Sequence, residues 1–173
     1  MKKYILITIL FLNIMLANFQ VYSGYEPNQM MKIEGEGKYN MIGSYIFAIQ
    51  NMHTFNQHEF GYGVEYLSKT KDKSSENFKI SFYDIFFKWN YNFNDKFGGF
   101  IKVGGFNSID CDILGYEVET SQDISYGFGI IYNKTMQFSV NISSLLIDEI
   151  PNFIFNKDLI DIKLLRVNLT YLF

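Results

Sequence analysis

Leu165-Arg166-Val167-Asn168-Leu169-Thr170-Tyr171-Leu172-Phe173, the last nine residues of the 173-residue chain, carry the reading of the fold. In an extended strand Leu165, Val167, Leu169, Tyr171 and Phe173 share one face. Arg166, Asn168 and Thr170 fall on the other, because strand side chains alternate with period two. Chain ends in water are usually frayed and polar. One that alternates up to a terminal ring is expected instead to be a paired strand with one face against an apolar phase.

The same alternation recurs upstream. Phe60, Tyr62, Val64 and Tyr66 oppose Gly61, Gly63 and Glu65. Tyr83, Ile85, Phe87, Trp89, Tyr91 and Phe93 oppose Asp84, Phe86, Lys88, Asn90 and Asn92. Ile124, Tyr126, Phe128 and Ile130 oppose Ser125, Gly127 and Gly129, and Met136, Phe138, Val140 and Ile142 oppose Gln137, Ser139, Asn141 and Ser143. Between these runs lies a repeated turn. It reads Phe55-Asn56-Gln57-His58, Phe93-Asn94-Asp95-Lys96 and Tyr132-Asn133-Lys134-Thr135, with the leading aromatics 38 and 39 residues apart. Asn and Asp suit tight turns because they tolerate left-handed backbone. One further period from Tyr132 reaches Tyr171, so the repeat predicts four two-stranded units and eight strands.

The pattern has weak places. A short first strand is expected at Met30–Glu36, and a second at about Asn40–Asn51 with a bulge where Asn51 and His53 interrupt its apolar face. The apolar phase also flips between Phe82 and Tyr83 and between Leu164 and Leu165. Those flips mark either bulges or the points where strands leave a membrane.

Lys2 and Lys3 precede an apolar run from Tyr4 to Leu16, the pattern of a secretory signal peptide. Cleavage is expected after Ser23, with Ala17 as the second site, giving a leader over 1–23 and one domain over 24–173. The formal charge is −3, and with Lys2 and Lys3 in the leader the mature chain would carry −5. That balance offers no basic patch for nucleic acid. Cys111 is the only cysteine, so no intramolecular disulfide forms. It reads as a small neutral residue, with an intermolecular link as the other option. Apolar stretches of the mature chain are broken every few residues by groups such as Lys88 and Lys102. If the chain enters a membrane, only a closed barrel satisfies its backbone there.

Alternation alone does not say which face is outside. An eight-stranded barrel has an interior just wide enough for side chains or one small ligand. Packing all the Phe, Tyr, Trp and Ile faces inside would overfill it, whereas the Gly, Ser, Asn and charged faces fit. The expected fold is therefore all-β: an eight-stranded antiparallel up-and-down transmembrane β-barrel with aromatics near its rims.

On these residues the chain resembles the small eight-stranded outer-membrane β-barrels, the OmpA-like and OmpX-like superfamily. The resemblance implies a bacterial outer-membrane location, with outer-membrane lipids around the wall and both barrel termini periplasmic. It also implies that Leu165, Val167, Leu169, Tyr171 and Phe173 form the signal read by the outer-membrane assembly machinery. The longer connections, at 68–77, 107–122 and 148–158 with a short one near 35–39, would then face outward.

Candidate interior charges are Glu34, Glu65, Lys79, Asp84, Lys88, Lys102 and Arg166. Charges in a narrow lumen must pair, so a salt-bridged plug is expected, with a porin-like narrow or gated channel as the alternative. A soluble lipid-binding barrel is the remaining one. Asp110, Asp112, Glu117 and Glu119 crowd one outer segment but lack the spacing of a calcium loop, so no metal site is assigned. No cofactor motif occurs. His53 and His58, the only histidines, fall at the first turn rather than beside a serine at the outer leaflet, which argues against a hydrolase. The role expected is structural or interactive, through a surface ligand or another envelope protein.

Overall fold

A computed structural model gives the fold and describes residues 18–33, 37–73, 78–113, 115–118, 120–147 and 160–173. Eight long antiparallel strands run in chain order: β1 (Phe19–Ile33), β2 (Gly37–Phe55), β3 (His58–Lys71), β4 (Phe78–Asn92), β5 (Phe97–Ile113), β8 (Asp123–Tyr132), β9 (Met136–Ile147) and β10 (Ile160–Leu172). Two-residue ladders β6 (Tyr116–Glu117) and β7 (Thr120–Ser121) pair with β5 and β9 beyond the end of β8. Each long strand pairs with its neighbour and β10 pairs with β1, so the ring of strands closes on itself; the β2–β3 ladder ends at Ile46↔Leu67, with one further bridge at Met41↔Asp72.

The three repeated turns are the tight connections at one rim. Asn56 and Asn133 adopt left-handed φ of 57° and 49°, as their residue type favours, and Lys134 follows at 61°. Asn94 Oδ1 accepts the backbone N–H of Lys96 and of Phe97, each at 2.9 Å. Above that rim the outward side chains form an apolar belt. Phe47, Phe87, Ile101 and Phe128 are all more than half exposed. A contiguous aromatic and aliphatic girdle of this size is stable only in lipid, which excludes the soluble barrel.

Several expectations need correction. The first strand is not Met30–Glu36 but β1, whose pairing with β2 starts at Phe19↔Asn51. Residues 19–23, assigned above to the leader, lie in that strand, whereas residues 1–17 and 34–36 are outside the described residues. No bulge occurs near Asn51 and His53, because the β2–β3 register runs unbroken from Ile46↔Leu67 to Phe55↔His58. Residues 68–71 belong to β3, with 74–77 outside the described residues, and 107–113 belong to β5. A spanning strand needs about 9–11 residues, yet β2 has 19 and β5 has 17. The segment 148–158 lies outside the described residues.

Register breaks occur elsewhere: in β1 between Tyr25 and Asn28, in β3 between Leu67 and Thr70, and across Ser81/Phe82 where β5 carries Ile109 as the extra residue. Pro27 sits in the first, where its missing N–H costs no ladder bond. Ser68 sits in the second, and its Oγ accepts the Tyr45 N–H at 2.9 Å. All three lie where the apolar belt ends.

Candidate functional site

The belt encloses an ionic lattice. Glu65 on β3, Asp84 and Lys88 on β4, Lys102 on β5 and Arg166 on β10 all point inward and are buried. Glu26 on β1 joins them, fully buried, although sequence reasoning missed it. Its signal was present: Tyr22, Gly24 and Glu26 alternate with Val21, Ser23 and Tyr25, but the leader boundary cut across the pattern. Lys79 lies on the outer face, half-buried, and Glu34 is outside the described residues.

Lys102 Nζ stands 3.1 Å from Glu65 Oε1 and 3.0 Å from Asp84 Oδ2. Arg166 Nη1 stands 3.7 Å from Glu26 and 3.8 Å from Glu65, and Nη2 donates to Ser143 Oγ at 3.0 Å. The Tyr22 hydroxyl donates to Glu65 at 2.8 Å, and Ser125 donates to Asp84 at 2.8 Å. Lys88 donates to Gln137 Oε1 at 2.6 Å and lies 4.3 Å from the Phe100 ring centre. Three carboxylates thus share the lumen with three cations, of which Lys102 and Arg166 make the ion pairs and Lys88 is held by Gln137.

Inward glycines make room for this lattice. A Cβ on Gly104 would stand 2.4 Å from Asp84 Oδ1, and one on Gly127 would stand 2.2 Å from Asn141 Oδ1. The cavity left among Tyr22, Glu65, Lys88, Lys102 and their neighbours is about 10 Å³, space for one water at most.

Beyond the belt the chemistry inverts. Met31, Ile33, Met41, Phe78, Ile80, Phe82, Cys111, Ile113, Val118, Leu145, Ile162 and Leu164 fill the interior as one apolar cluster. The Phe82 and Phe106 rings stack 4.6 Å apart at its base. The outer faces at that height carry Lys32, Lys38, Lys69, Asp110, Asp161 and Lys163. The two phase flips read from the sequence lie at this boundary. Neither β4 nor β10 reverses its alternation there: Phe82 and Asp84 both point inward, as do Leu164 and Arg166.

The acidic candidates do not converge. Asp110 pairs with Lys69, and this hydrogen bond holds the Lys69 ammonium above the usual lysine range. Asp112 accepts the Gly115 N–H at 2.9 Å, Glu117 sits opposite Asp112 on β6, and Glu119 is outside the described residues. Among the described residues no three His, Cys, Asp or Glu side chains could hold a metal ion. Cys111 is buried in the apolar cluster, which removes it from the surface an intermolecular link would need.

His53 and His58 are rim residues. His53 Nδ1 contacts the Asn18 amide at 3.2 Å, and the Trp89 indole N–H donates to His58 Nδ1 at 3.2 Å. The His58 ring stacks on Trp89 with centres 5.8 Å apart, beside Phe60 and Tyr91. At the same rim the rings of Tyr171 and Phe173 meet edge to face, 5.3 Å apart. Leu165, Leu169, Tyr171 and Phe173 are exposed to the lipid side, with Val167 partly covered. A concavity of about 620 Å³ between Phe60, Tyr62, Phe87, Trp89, Tyr126 and Phe128 also opens outward, so it is a trough in the lipid-facing wall.

No family model matches the chain, and no curated protein sequence is significantly similar to it. Among solved structures it is similar to Neisserial surface protein A, with a TM-score of 0.51 and 12% identity over 89% of this chain and 96% of that one. It is also similar to Ail, the attachment invasion locus protein of Yersinia pestis, solved in complex with the heparin analogue sucrose octasulfate. That match has a TM-score of 0.50 and 12% identity over 90% of this chain and 97% of that one. The ring of eight strands, the lipid-facing belt and these two likenesses agree: the chain has the fold of the small eight-stranded outer-membrane β-barrels.

Proposed function

We propose that the protein is a non-conducting barrel of the bacterial outer membrane, whose wall continues past the lipid as a folded surface for binding a ligand or another envelope protein. The observation that carries this reading is the filled lumen. An ionic lattice with about 10 Å³ of free space lies under an apolar plug. An ion crossing the barrel would have to shed most of its water against Met31, Phe82 and Leu164, since Thr70, Asp72 and Ser81 are the buried polar side chains near that height among the described residues. The wall around the plug is polar outside, as a surface in water requires. Ail, a protein of the same fold, was solved with a heparin analogue, which supports surface ligand binding as the general role.

In this reading the tight turns and both barrel termini face the periplasm, and the assembly machinery reads the alternating terminal strand. The leader is removed after Ala17 rather than Ser23. Cleavage after Ser23 would delete Tyr22, whose hydroxyl binds Glu65 inside the lattice.

Planar-bilayer recording of the full refolded chain tests the function. No unitary steps are expected, whereas stable steps at modest voltage would establish the channel instead. Mass spectrometry of the mature protein from the native membrane tests the leader, and is expected to read Asn18 as the first residue.

A further inference from the structure

The outer faces of the protruding wall carry two rows of charge at matched register, and the rows differ. Across β3, β4, β5 and β6, Lys71 pairs with Lys79, Lys79 with Asp112, and Asp112 with Glu117. That row sums to zero. Across β10, β1 and β2, Lys163 pairs with Lys32 and Lys32 pairs with Lys38. That row holds three lysines side by side, all exposed. Directly opposed like charges destabilise a sheet; the first row also sets Lys71 against Lys79 but follows them with two carboxylates, whereas the second row contains no carboxylate and is costly unless something anionic covers it.

Asp161, 3.1 Å from Lys163, offsets one of the three charges. No hydrogen bond or ion pair is seen at Lys32 or Lys38 among the described residues. Glu34 and Glu36, in the connection between β1 and β2, lie outside those residues.

The height of the row selects what could cover it. The last exposed apolar residues are Met30 on β1 and Leu165 on β10, each two positions below a lysine, and Ile42 on β2, four positions below Lys38, which is level with Lys32 by register. Two residues rise about 7 Å along a strand. With the tilt of a barrel strand that is roughly 5 Å along the membrane normal. The headgroup layer is itself about 5–7 Å thick. Three ammoniums spread over about 10 Å of wall therefore stand at the depth of lipid phosphates. The geometry points to the Lys163–Lys32–Lys38 row as a binding site for the phosphate of an anionic lipid headgroup in the outer leaflet. The inference rests on the membrane orientation proposed above.

The test uses the full refolded chain in detergent micelles, titrated with dimyristoyl phosphatidic acid and with dimyristoyl phosphatidylcholine, and reads retained lipid by native mass spectrometry. A heat-modifiable shift on a gel first establishes that each sample is a folded barrel, so failure of the barrel reading and failure of the site are separate results. The wild type is expected to retain phosphatidic acid selectively. The triple variant K32Q/K38Q/K163Q is expected to lose more than about tenfold in affinity, since each surface lysine near an anionic lipid contributes roughly fivefold. K71Q/K79Q is expected to bind as the wild type does. K32E, which gives the row alternating sign, is expected to fold and to lose the lipid. Equal retention of phosphatidic acid by the triple variant overturns the proposal. So does displacement of the lipid by millimolar inorganic phosphate, which would make free phosphate the ligand. Binding of sucrose octasulfate at this row without selectivity for phosphatidic acid also overturns it, in favour of a sulfated glycan.

Discussion

The two ends of β10 obey opposite rules on one unbroken strand. Near the tight-turn rim Leu165, Val167, Leu169 and Tyr171 face outward, while Arg166, Asn168 and Thr170 are buried. At the far end Asp161 and Lys163 face outward, while Ile162 and Leu164 are buried. The backbone alternation is the same throughout, and only the surrounding solvent differs. Below the boundary the apolar phase is outside and the lumen must hold the polar groups. Above it water is outside, and the lumen becomes a mainly apolar core, with Thr70 and Asp72 also buried there. The barrel is thus one sheet with two interiors. Its bulges at Pro27, Ser68 and Ile109 gather where one interior gives way to the other.

The sharpest way to break this comparison is to give the lower interior the chemistry of the upper one. In Arg166→Leu the new side chain matches Leu164 one inward position away, but Glu26 loses its 3.7 Å cation and Glu65 loses one of two. Removing one member of a buried ion group leaves an uncompensated charge and costs about 3–5 kcal/mol. Urea unfolding in lipid vesicles, followed through the single Trp89, is the measurement. A loss below about 1 kcal/mol would mean that water solvates the lattice and the lumen is not closed.

The second test concerns the outer face. Leu169→Arg places a charge within the belt and is expected to cost about 2–4 kcal/mol. Lys163→Leu, on the same face but above the boundary, is expected to stay within about 0.5 kcal/mol. Similar costs for the two would put the boundary in the wrong place.

How far the sequence disclosed this architecture depends on which signal was local. Period-two alternation and the Asn turns are local, so the strands flanking Asn56, Asn94 and Asn133 were legible. The inward direction of Glu65, Asp84, Lys88, Lys102 and Arg166 followed from the same periodicity. The protruding half was not legible as strand, because its outer face is polar and its inner face apolar. Against the lower pattern that looks like a phase error at Phe82/Tyr83 or like a loop at 107–122. Only pairing partners far away in sequence, such as Phe78↔Ile113, identify those residues as wall. Glu26 was hidden for another reason: the expected leader boundary cut β1 on one side of it, and Pro27 with the bulge interrupts the strand on the other.

A third test separates the halves by packing. In the lower half the lattice fills the lumen so tightly that Gly104→Val would drive a Cβ to 2.4 Å from Asp84 Oδ1 and 2.5 Å from the Ile85 carbonyl oxygen. Overpacking against backbone costs about 1–3 kcal/mol. In the apolar half Ile113→Val removes one methyl group and is expected to cost about 0.5–1.5 kcal/mol. If Gly104→Val is neutral, the lumen has slack, and conductance becomes the next measurement.

The smallest effect sharpens the upper interior alone. Cys111 lies within the apolar cluster, and its neighbours along β5, Asp110 and Asp112, face the outer side. Burial first, then these two carboxylates, push its thiol up from an ordinary 9.0 to about 12. Folding therefore holds the thiol neutral. Its contribution to stability is fully present below the free thiol's pKa and fades as pH rises from about 9 toward 12. The thiolate is the nucleophile, so iodoacetamide at pH 8 should leave the folded barrel unlabelled and modify it rapidly once urea unfolds it. Mass spectrometry of the quenched reaction gives both rates. Rapid labelling of the folded protein would mean that water reaches Cys111, and that the protruding half is an open cup rather than a closed core.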